Sequence, residues 1–123
     1  MPETKKARLE HILQKLKQTG DIEGAAVITR DGLMIASELN SETDGDTFAA
    51  MSATMTGAAE TAIQELKGDS PERVIVESNS MKLITTGAGK DAILACIVQP
   101  KAKLGLILIE MRRTADNIMK EVR

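Results

Sequence analysis

The segment from Thr47 to Ala59 contains no charged residue, and it constrains the fold more than any other part of this 123-residue chain. It opens a longer stretch, Thr47–Lys67, which the spacing of the apolar residues predicts to be one helix. Small residues occupy the faces that the apolar stripe leaves free, and a helix of this kind is buried on more than one side. The stripe consists of Phe48, Met51, Met55, Ala59 and Ala62, and the small residues are Ala50, Ala53, Gly57 and Ala58.

The long helix must pack against other elements on two of its sides. A chain of this length covers one side with its own sheet, and something else must cover the other side. A second copy of the same helix is the economical candidate, because two-fold homodimers are the commonest oligomers. Met51 and Met55 fit two interpretations, ordinary core filling and an adaptable contact surface. Because the helix has too few polar residues to face water, we favour a dimer or partner interface.

Turn signals and periodicity predict the other elements. An amphipathic helix spans about Thr4 to Gln18, and two β-type runs flank Asp31-Gly32, a pair that tolerates the positive φ of a type I′ hairpin turn. The last segment begins with the β-propensity of a strand but keeps helical spacing throughout, so we interpret it as a helix from about Lys103. The predicted strands are Ala25–Arg30, Leu33–Ser37, Arg73–Glu77, Met81–Thr86 and Ala92–Val98.

The predicted order of elements is α-β-β-α-β-β-β-α, and all but one of the links between consecutive strands are short. This favours an α/β fold of the α+β type, a five-stranded antiparallel sheet with helices on both faces in a profilin-like arrangement. Ala92–Val98 contains no polar residue, so we expect it to be central and buried on both faces. Residues 1–123 are expected to form a single domain.

Composition argues against several classes of function. The formal net charge is -2 with acids and bases interspersed, and no basic stripe indicates a nucleic-acid partner. Phe48 is the only aromatic residue, whereas ligand pockets and single-stranded nucleic-acid platforms use aromatic rings. The single cysteine, Cys96, fits a reducing compartment. The sequence contains no apolar signal segment and no span of about 20 apolar residues, so we expect a cytoplasmic protein without membrane insertion.

Local sequences along almost the whole chain resemble the Roadblock / dynein light chain family, in particular its prokaryotic, MglB-like members. The Ala/Met helix Phe48–Leu66 resembles the central helix of the family, and the segment from Leu104 to Ala115 resembles the start of its C-terminal helix. The resemblance rests on pattern more than on an invariant motif. The matching strands are Ala26–Ala36 for the hairpin and Val74–Glu77, Met81–Thr86 and Ile93–Val98 for the last three.

The resemblance implies a non-enzymatic homodimer or heterodimer that binds a Ras-like small GTPase. In the family, the central helices of two subunits pair and the third strands join the two sheets. Prokaryotic members resemble MglB, which stimulates hydrolysis by repositioning groups that the GTPase already owns, while other members only scaffold, and no residue of this chain separates the two behaviours. The implied interface consists of Phe48, Met51, Ser52, Met55, Ala58 and Ala59 near the helix pair and Val74 and Val76 in the joining strand.

Two other functions remain open: a structural adaptor subunit of a larger complex, and a ligand-sensing domain of PAS or profilin-like architecture. The scarcity of aromatic residues argues against the sensor. An enzyme needs a cluster of polar catalytic residues, and the sequence offers no plausible one. We therefore predict no catalytic residue, no cofactor and no metal.

Three motifs suggest chemistry but have simpler interpretations. Gly87–Asp91 contains Gly-Lys, yet it lacks the spacing and the hydroxyl of a P-loop, so a glycine-rich turn is favoured. Cys96 lies in the most apolar strand and His11 among charged neighbours, which favours packing and solvation over catalysis. Asp44 and Asp46 are better placed to cap a helix than to bind calcium, which needs more ligands.

Overall fold

The computed structural model describes residues 3–123. The order of elements is the predicted one, and most boundaries agree to within two residues. The strand Ile22–Thr29 begins three residues earlier than predicted. The helices are α1 (Lys5–Lys17), α2 (Gly45–Glu65) and α3 (Leu104–Val122), and the strands are β1 (Ile22–Thr29), β2 (Met34–Glu38), β3 (Arg73–Glu77), β4 (Lys82–Gly87) and β5 (Ala92–Val98).

The five strands form one antiparallel sheet in the order β2-β1-β5-β4-β3. The prediction that Ala92–Val98 is central is confirmed, because β5 lies between β1 and β4 and six of its seven residues are buried. The two edges of the sheet are β2 and β3. This arrangement leaves β3, the strand expected to contribute Val74 and Val76 to the interface, with one unpaired side.

Helices cover both faces of the sheet, as predicted. On one face α1 and α3 enclose the larger core cluster, with Leu13 and Met111 packed against Leu94 and Cys96 of β5. On the other face α2 packs alone over a smaller cluster. The smaller cluster joins Ala49 and Ala53 of α2 to Ala26, Ile28 and Ile93 of the sheet.

The hairpin turn differs from the expected type I′ turn. Gly32 has φ +92°, but Asp31 is not among the residues with positive φ. The Gly32 N–H donates to the Thr29 carbonyl at 3.0 Å and the Thr29 N–H donates to the Leu33 carbonyl at 2.8 Å. This is a type I turn followed by a left-handed glycine, and the pairing of β1 with β2 accordingly shifts by one residue beside it.

The starts of the two long helices, α2 and α3, have different local causes. Helix α2 starts two residues earlier than predicted, because the Asp44 carboxylate accepts a hydrogen bond from the Thr47 N–H at 3.2 Å and caps the helix. Helix α3 starts at Leu104, which agrees with the helical interpretation of this segment. Its apolar residues Ile107, Met111 and Ile118 all face the core, and this periodicity outweighs the β-propensity of its first turn.

Candidate functional site

Helix α2 presents small side chains to the sheet. The buried residues of α2 lie along one side of the helix over two turns. They are Ala49, Ser52, Ala53 and Thr56. Ser52 was expected near a helix pair, but it is 1 % exposed, and its hydroxyl has no hydrogen-bond partner within the described residues. Ser52 therefore belongs to the contact between α2 and its own sheet, because helical spacing places it beside Ala49 and Thr56 rather than on the outer stripe.

Polar contacts fix the second half of α2 on the sheet. The Thr56 hydroxyl lies 2.8 Å from the Thr85 hydroxyl of β4 in a buried layer. Arg30, just after β1, forms an ion pair with Glu60 of α2 at 3.1 Å and donates to the Gly89 carbonyl at 3.2 Å. The helix is thus held at a defined position over β1 and β4, and the rest of its surface is presented outward.

The outer side of α2 is apolar and incompletely covered. Met51 is 58 % exposed, Ala58 is exposed, and Phe48, Met55 and Ala59 are half-buried. These residues recur at intervals of three and four, so they form one continuous stripe along the helix. An apolar stripe of this length that faces water is typical of an interaction surface.

Strand β3 extends the apolar surface. Val74 pairs with Thr85 and Val76 pairs with Leu83, so both valines share the face of the sheet that carries Thr85 and helix α2. Val74 is half-buried and Val76 is 43 % exposed. Seven of the eight residues expected at the interface, all except Ser52, therefore lie on the α2 side of the molecule with part of their surface accessible.

Sequence reasoning missed part of this surface. Leu83 of β4 and Ile97 of β5 pair with each other, lie on the same face as Val76, and are only half-buried. Both sit inside otherwise ordinary strands, and no local signal distinguishes them from core residues. Only the position of α2, which crosses the other end of this face at Thr85, leaves them uncovered.

The residues that suggested catalysis or ligand binding lie in the positions that the simpler interpretations predicted. Cys96 is fully buried in β5, and burial in apolar surroundings raises the pKa of its thiol. His11 is exposed on α1. Gly89 has φ +85° in the turn between β4 and β5, so Gly87–Asp91 leads into a strand and not into a helix. The pKa of Asp44 is lowered by its hydrogen bond from the Thr47 backbone, which agrees with helix capping.

One open groove bears on the sensor alternative. It has a volume of about 530 Å³ and lies between α3, β4 and the segment before β3. The Glu72 carboxylate inside it accepts from Arg73 at 3.0 Å and from Arg112 at 3.3 Å. Three of the charged side chains of the groove, Glu72, Arg73 and Arg112, are thus paired with one another.

The described residues show neither a metal site nor a membrane-spanning helix. Among residues 3–123, no three His, Cys, Asp or Glu side chains are grouped as a metal site requires. Over that range, no helix has both the length and the apolar character needed to cross a bilayer.

Comparison with known proteins identifies a family to which this chain is similar. A family model described as the Roadblock/LC7 domain matches residues 8–98 of the chain. An uncharacterised protein of Methanocaldococcus jannaschii is 36 % identical over 110 residues, which are 89 % of this chain and 96 % of that protein.

Solved structures agree with the fold. A structure of MglB in a tetrameric arrangement has a TM-score of 0.88 at 19 % identity and covers 98 % of this chain and 92 % of its own. Profilin II of Acanthamoeba castellanii has a TM-score of 0.65 at 21 % identity, with 92 % of this chain and 98 % of its own covered. The profilin-like, five-stranded arrangement predicted from the sequence is thereby confirmed.

Proposed function

The chain belongs to the Roadblock/LC7 domain family, and on this premise we propose that it is a non-enzymatic homodimer that binds a Ras-like small GTPase. The observation that carries the proposal is the uncovered apolar surface of α2, β3 and the neighbouring strands. Met51 and Val76 are the most exposed of its large side chains. A surface of this kind on a protein of a partner-binding family is best explained as an interface.

The proposed dimer uses the two features that a single chain leaves unpaired. The free edge of β3 supplies backbone donors and acceptors, which a second β3 satisfies by antiparallel pairing. The same two-fold axis brings the two α2 stripes together, so that Met51 and Met55 of one copy pack against those of the other. Pairing along the five residues of β3 alone is too small for a stable interface, and the helix stripe provides the remaining apolar area.

The GTPase partner follows from the family resemblance. Arg30, which lies just after β1, is engaged by Glu60 and by the Gly89 carbonyl. The proposed action is therefore on groups that the GTPase itself carries, and the dimer contributes a rigid surface that holds them. Whether hydrolysis is accelerated depends on that geometry, and a scaffold without acceleration is the second form of the same proposal.

The test is capture of a partner in two nucleotide states. The purified protein is immobilised and exposed to lysate of the source organism with either a non-hydrolysable GTP analogue or GDP, and retained proteins are identified by mass spectrometry. A small GTPase retained only with the analogue supports the proposal, and single-turnover hydrolysis with the purified pair then separates a stimulator from a scaffold. A partner retained equally in both states favours the structural adaptor.

The control is a bait that carries Met51→Glu. If α2 forms the interface, this bait loses the GTPase together with the dimer. If capture is unchanged by Met51→Glu, the α2 surface is not the binding site, and the proposal in its present form is wrong.

A further inference from the structure

Charge is divided unevenly between segments of the chain, although the sequence itself shows no basic stripe. Residues 3–17 and 101–123, which form α1, α3 and their flanks, contain eleven lysines and arginines but five acidic residues. Residues 18–100 contain five bases and thirteen acidic residues. The two basic segments lie at opposite ends of the chain, so their combined excess of six positive charges is visible only in the folded molecule.

Folding places both basic segments on one face of the sheet. Helices α1 and α3 pack against each other over the larger core cluster, where Leu13 and Ile118 are both fully buried. Arg8 of α1 donates to the Glu121 carboxylate of α3 at 2.8 Å and links the two helices at the surface. The exposed side of this helix pair, opposite to α2, is called the basic face below.

The lysines of the basic face are not neutralised from within the molecule. Its ion pairs use arginines: Arg8 with Glu121, Arg113 with Glu110 at 3.4 Å, and Arg112 with Glu72 at 3.3 Å. In the part of the chain that the structure describes, these ion pairs include none of the seven lysines of the two segments. Those lysines are Lys5, Lys6, Lys15, Lys17, Lys101, Lys103 and Lys120.

Two large aliphatic side chains stand among these charges on the outer side of α3. Leu106 is 60 % exposed and Ile109 is 52 % exposed. Two basic residues lie along the same side of the helix. Arg113 follows Ile109 by four residues and Leu106 by seven, and Lys120 follows Arg113 by seven. Exposed aliphatic residues flanked by bases are the pattern of surfaces that rest on lipid headgroups.

The same surface is poorly suited to nucleic acid. Phe48, the only aromatic residue, lies on α2 at the opposite side of the sheet. Surfaces that bind single-stranded nucleic acid without sequence preference combine basic side chains with aromatic rings on which nucleotides stack. Leu106 and Ile109 would lose contact with water without gaining such a partner, whereas a lipid interface accommodates both the aliphatic groups and the lysines.

We propose that the basic face docks the protein on an anionic lipid surface. Lys103 and Lys120 lie beside the phosphate groups, and Leu106 and Ile109 reach the boundary between headgroups and acyl chains. This is peripheral docking and requires no membrane-spanning helix. It does not rest on the proposed GTPase partner, because the apolar stripe of α2 lies on the other side of the sheet and is not used in lipid docking.

The experiment is co-sedimentation of the purified protein with vesicles. One set contains phosphatidylcholine alone and the other phosphatidylcholine mixed with phosphatidylglycerol. We expect sedimentation only with the anionic set, and its loss at high salt, because screening shortens the reach of surface charges. Absence of sedimentation at low salt overturns the proposal, and so does tighter binding to double-stranded DNA than to anionic vesicles in the same buffer.

Matched variants locate the contact. Lys103→Gln with Lys120→Gln removes two positive charges from the basic face, and we expect about a twenty-five-fold weaker association, since one lysine near an anionic surface contributes roughly fivefold. Asn40→Asp with Ser41→Asp changes the net charge equally in an exposed loop before α2 and should leave most of the binding intact. An equal loss in both variants means that net charge alone acts, and this overturns the assignment of the face.

The aliphatic contribution has its own variant. Leu106→Gln with Ile109→Gln preserves every charge, and both sites are exposed enough for the fold to be retained, which a thermal melt verifies. We expect a severalfold weaker association with anionic vesicles. Unchanged binding would mean that the face recognises any polyanion, and the lipid assignment would then be wrong.

Discussion

The hydroxyl oxygens of Thr56 and Thr85 lie 2.8 Å apart in the buried layer between α2 and the sheet. Thr56 also donates to the Ser52 carbonyl, one turn back along the helix, at 2.8 Å. A hydroxyl has one hydrogen to donate. Thr85 is therefore the donor in the contact between the two threonines, and Thr56 is the acceptor.

This direction predicts unequal costs for two similar substitutions. Thr85→Val leaves Thr56 with its bond to the Ser52 carbonyl, so we expect a loss of about 0.5–1.5 kcal/mol of unfolding free energy. Thr56→Val leaves the Thr85 hydrogen buried without an acceptor, and we expect about 1–3 kcal/mol. Urea unfolding of both variants measures the difference.

Thr54→Val is the control for the threonine pair. Thr54 donates to the Ala50 carbonyl in the same way as Thr56 does to Ser52, but it is exposed. Its replacement should change the unfolding free energy by no more than about 0.5 kcal/mol. A larger cost for Thr85→Val than for Thr56→Val would reverse the assigned donor and acceptor.

The proposed dimer predicts that Met51→Glu yields monomers. Met51 is 58 % exposed in the single chain, so a carboxylate there meets water when the chain is alone and is tolerated. Between two packed helices the same carboxylate is buried without a partner, which is strongly unfavourable. Analytical ultracentrifugation should give a monomer with a melting transition that stays cooperative.

Thr61→Glu is the matched control for the dimer. It adds the same charge to the same helix at an exposed position outside the apolar stripe, since ten residues beyond Met51 places it on a different side of the helix. The dimer should persist in this variant. If Met51→Glu also remains dimeric, the two copies associate through another surface or not through α2 at all.

The sequence was sufficient for most of the fold and for the identity of the exposed helix. The charge-free start of α2 and the apolar run of β5 each carry a local signal that tertiary packing did not override. The type of the hairpin turn was missed, because Asp31-Gly32 is compatible with more than one turn, and the turn that forms is accompanied by a one-residue shift in the pairing of β1 with β2.

The parts that sequence reasoning missed all depend on where elements sit relative to one another. The family resemblance placed Ser52 near the helix pair, whereas in the structure Ser52 is buried on the side of α2 that meets the sheet. Leu83 and Ile97 are uncovered only because α2 crosses the opposite end of the sheet. The basic face combines two segments from the ends of the chain, so no window along the sequence contains it.

Two glycines predict opposite responses to alanine. Gly89 has φ +85°, and an added Cβ lies 2.9 Å from Met119 Cγ. The methionine is flexible and can move, so the backbone conformation is the main cost, and we expect Gly89→Ala to lower the unfolding free energy by about 1–2 kcal/mol. Gly57 lies within α2 with nothing within 4 Å of an added Cβ.

Gly57→Ala should therefore raise the unfolding free energy by about 0.5–1 kcal/mol, because alanine loses less conformational freedom in a helix. Chemical denaturation of both variants gives the sign of the change in unfolding free energy for each. Sedimentation of Gly57→Ala shows whether the dimer is retained. A destabilised Gly57→Ala variant would mean that another chain approaches α2 closely at this position.

The cap of α2 predicts a dependence of stability on pH. The hydrogen bond from the Thr47 N–H lowers the pKa of Asp44 in the folded protein below its ordinary value of 3.8. The folded state thus stabilises the charged form of Asp44. The contribution of this carboxylate to the unfolding free energy is fully present above pH 3.8 and is lost as the pH falls through the lower folded pKa. Asp44→Asn keeps an acceptor at the cap but does not titrate. The stability advantage of the natural residue over Asp44→Asn should be constant near neutral pH and should shrink below the ordinary pKa.

Urea midpoints of both proteins over a pH series measure this advantage, and every other titrating group is shared, so it cancels in the comparison. Asp44→Ala removes the acceptor and should be less stable than both at neutral pH. A difference between Asp44 and its asparagine variant that stays the same down to strongly acidic pH would show that the charge of Asp44 is not linked to folding.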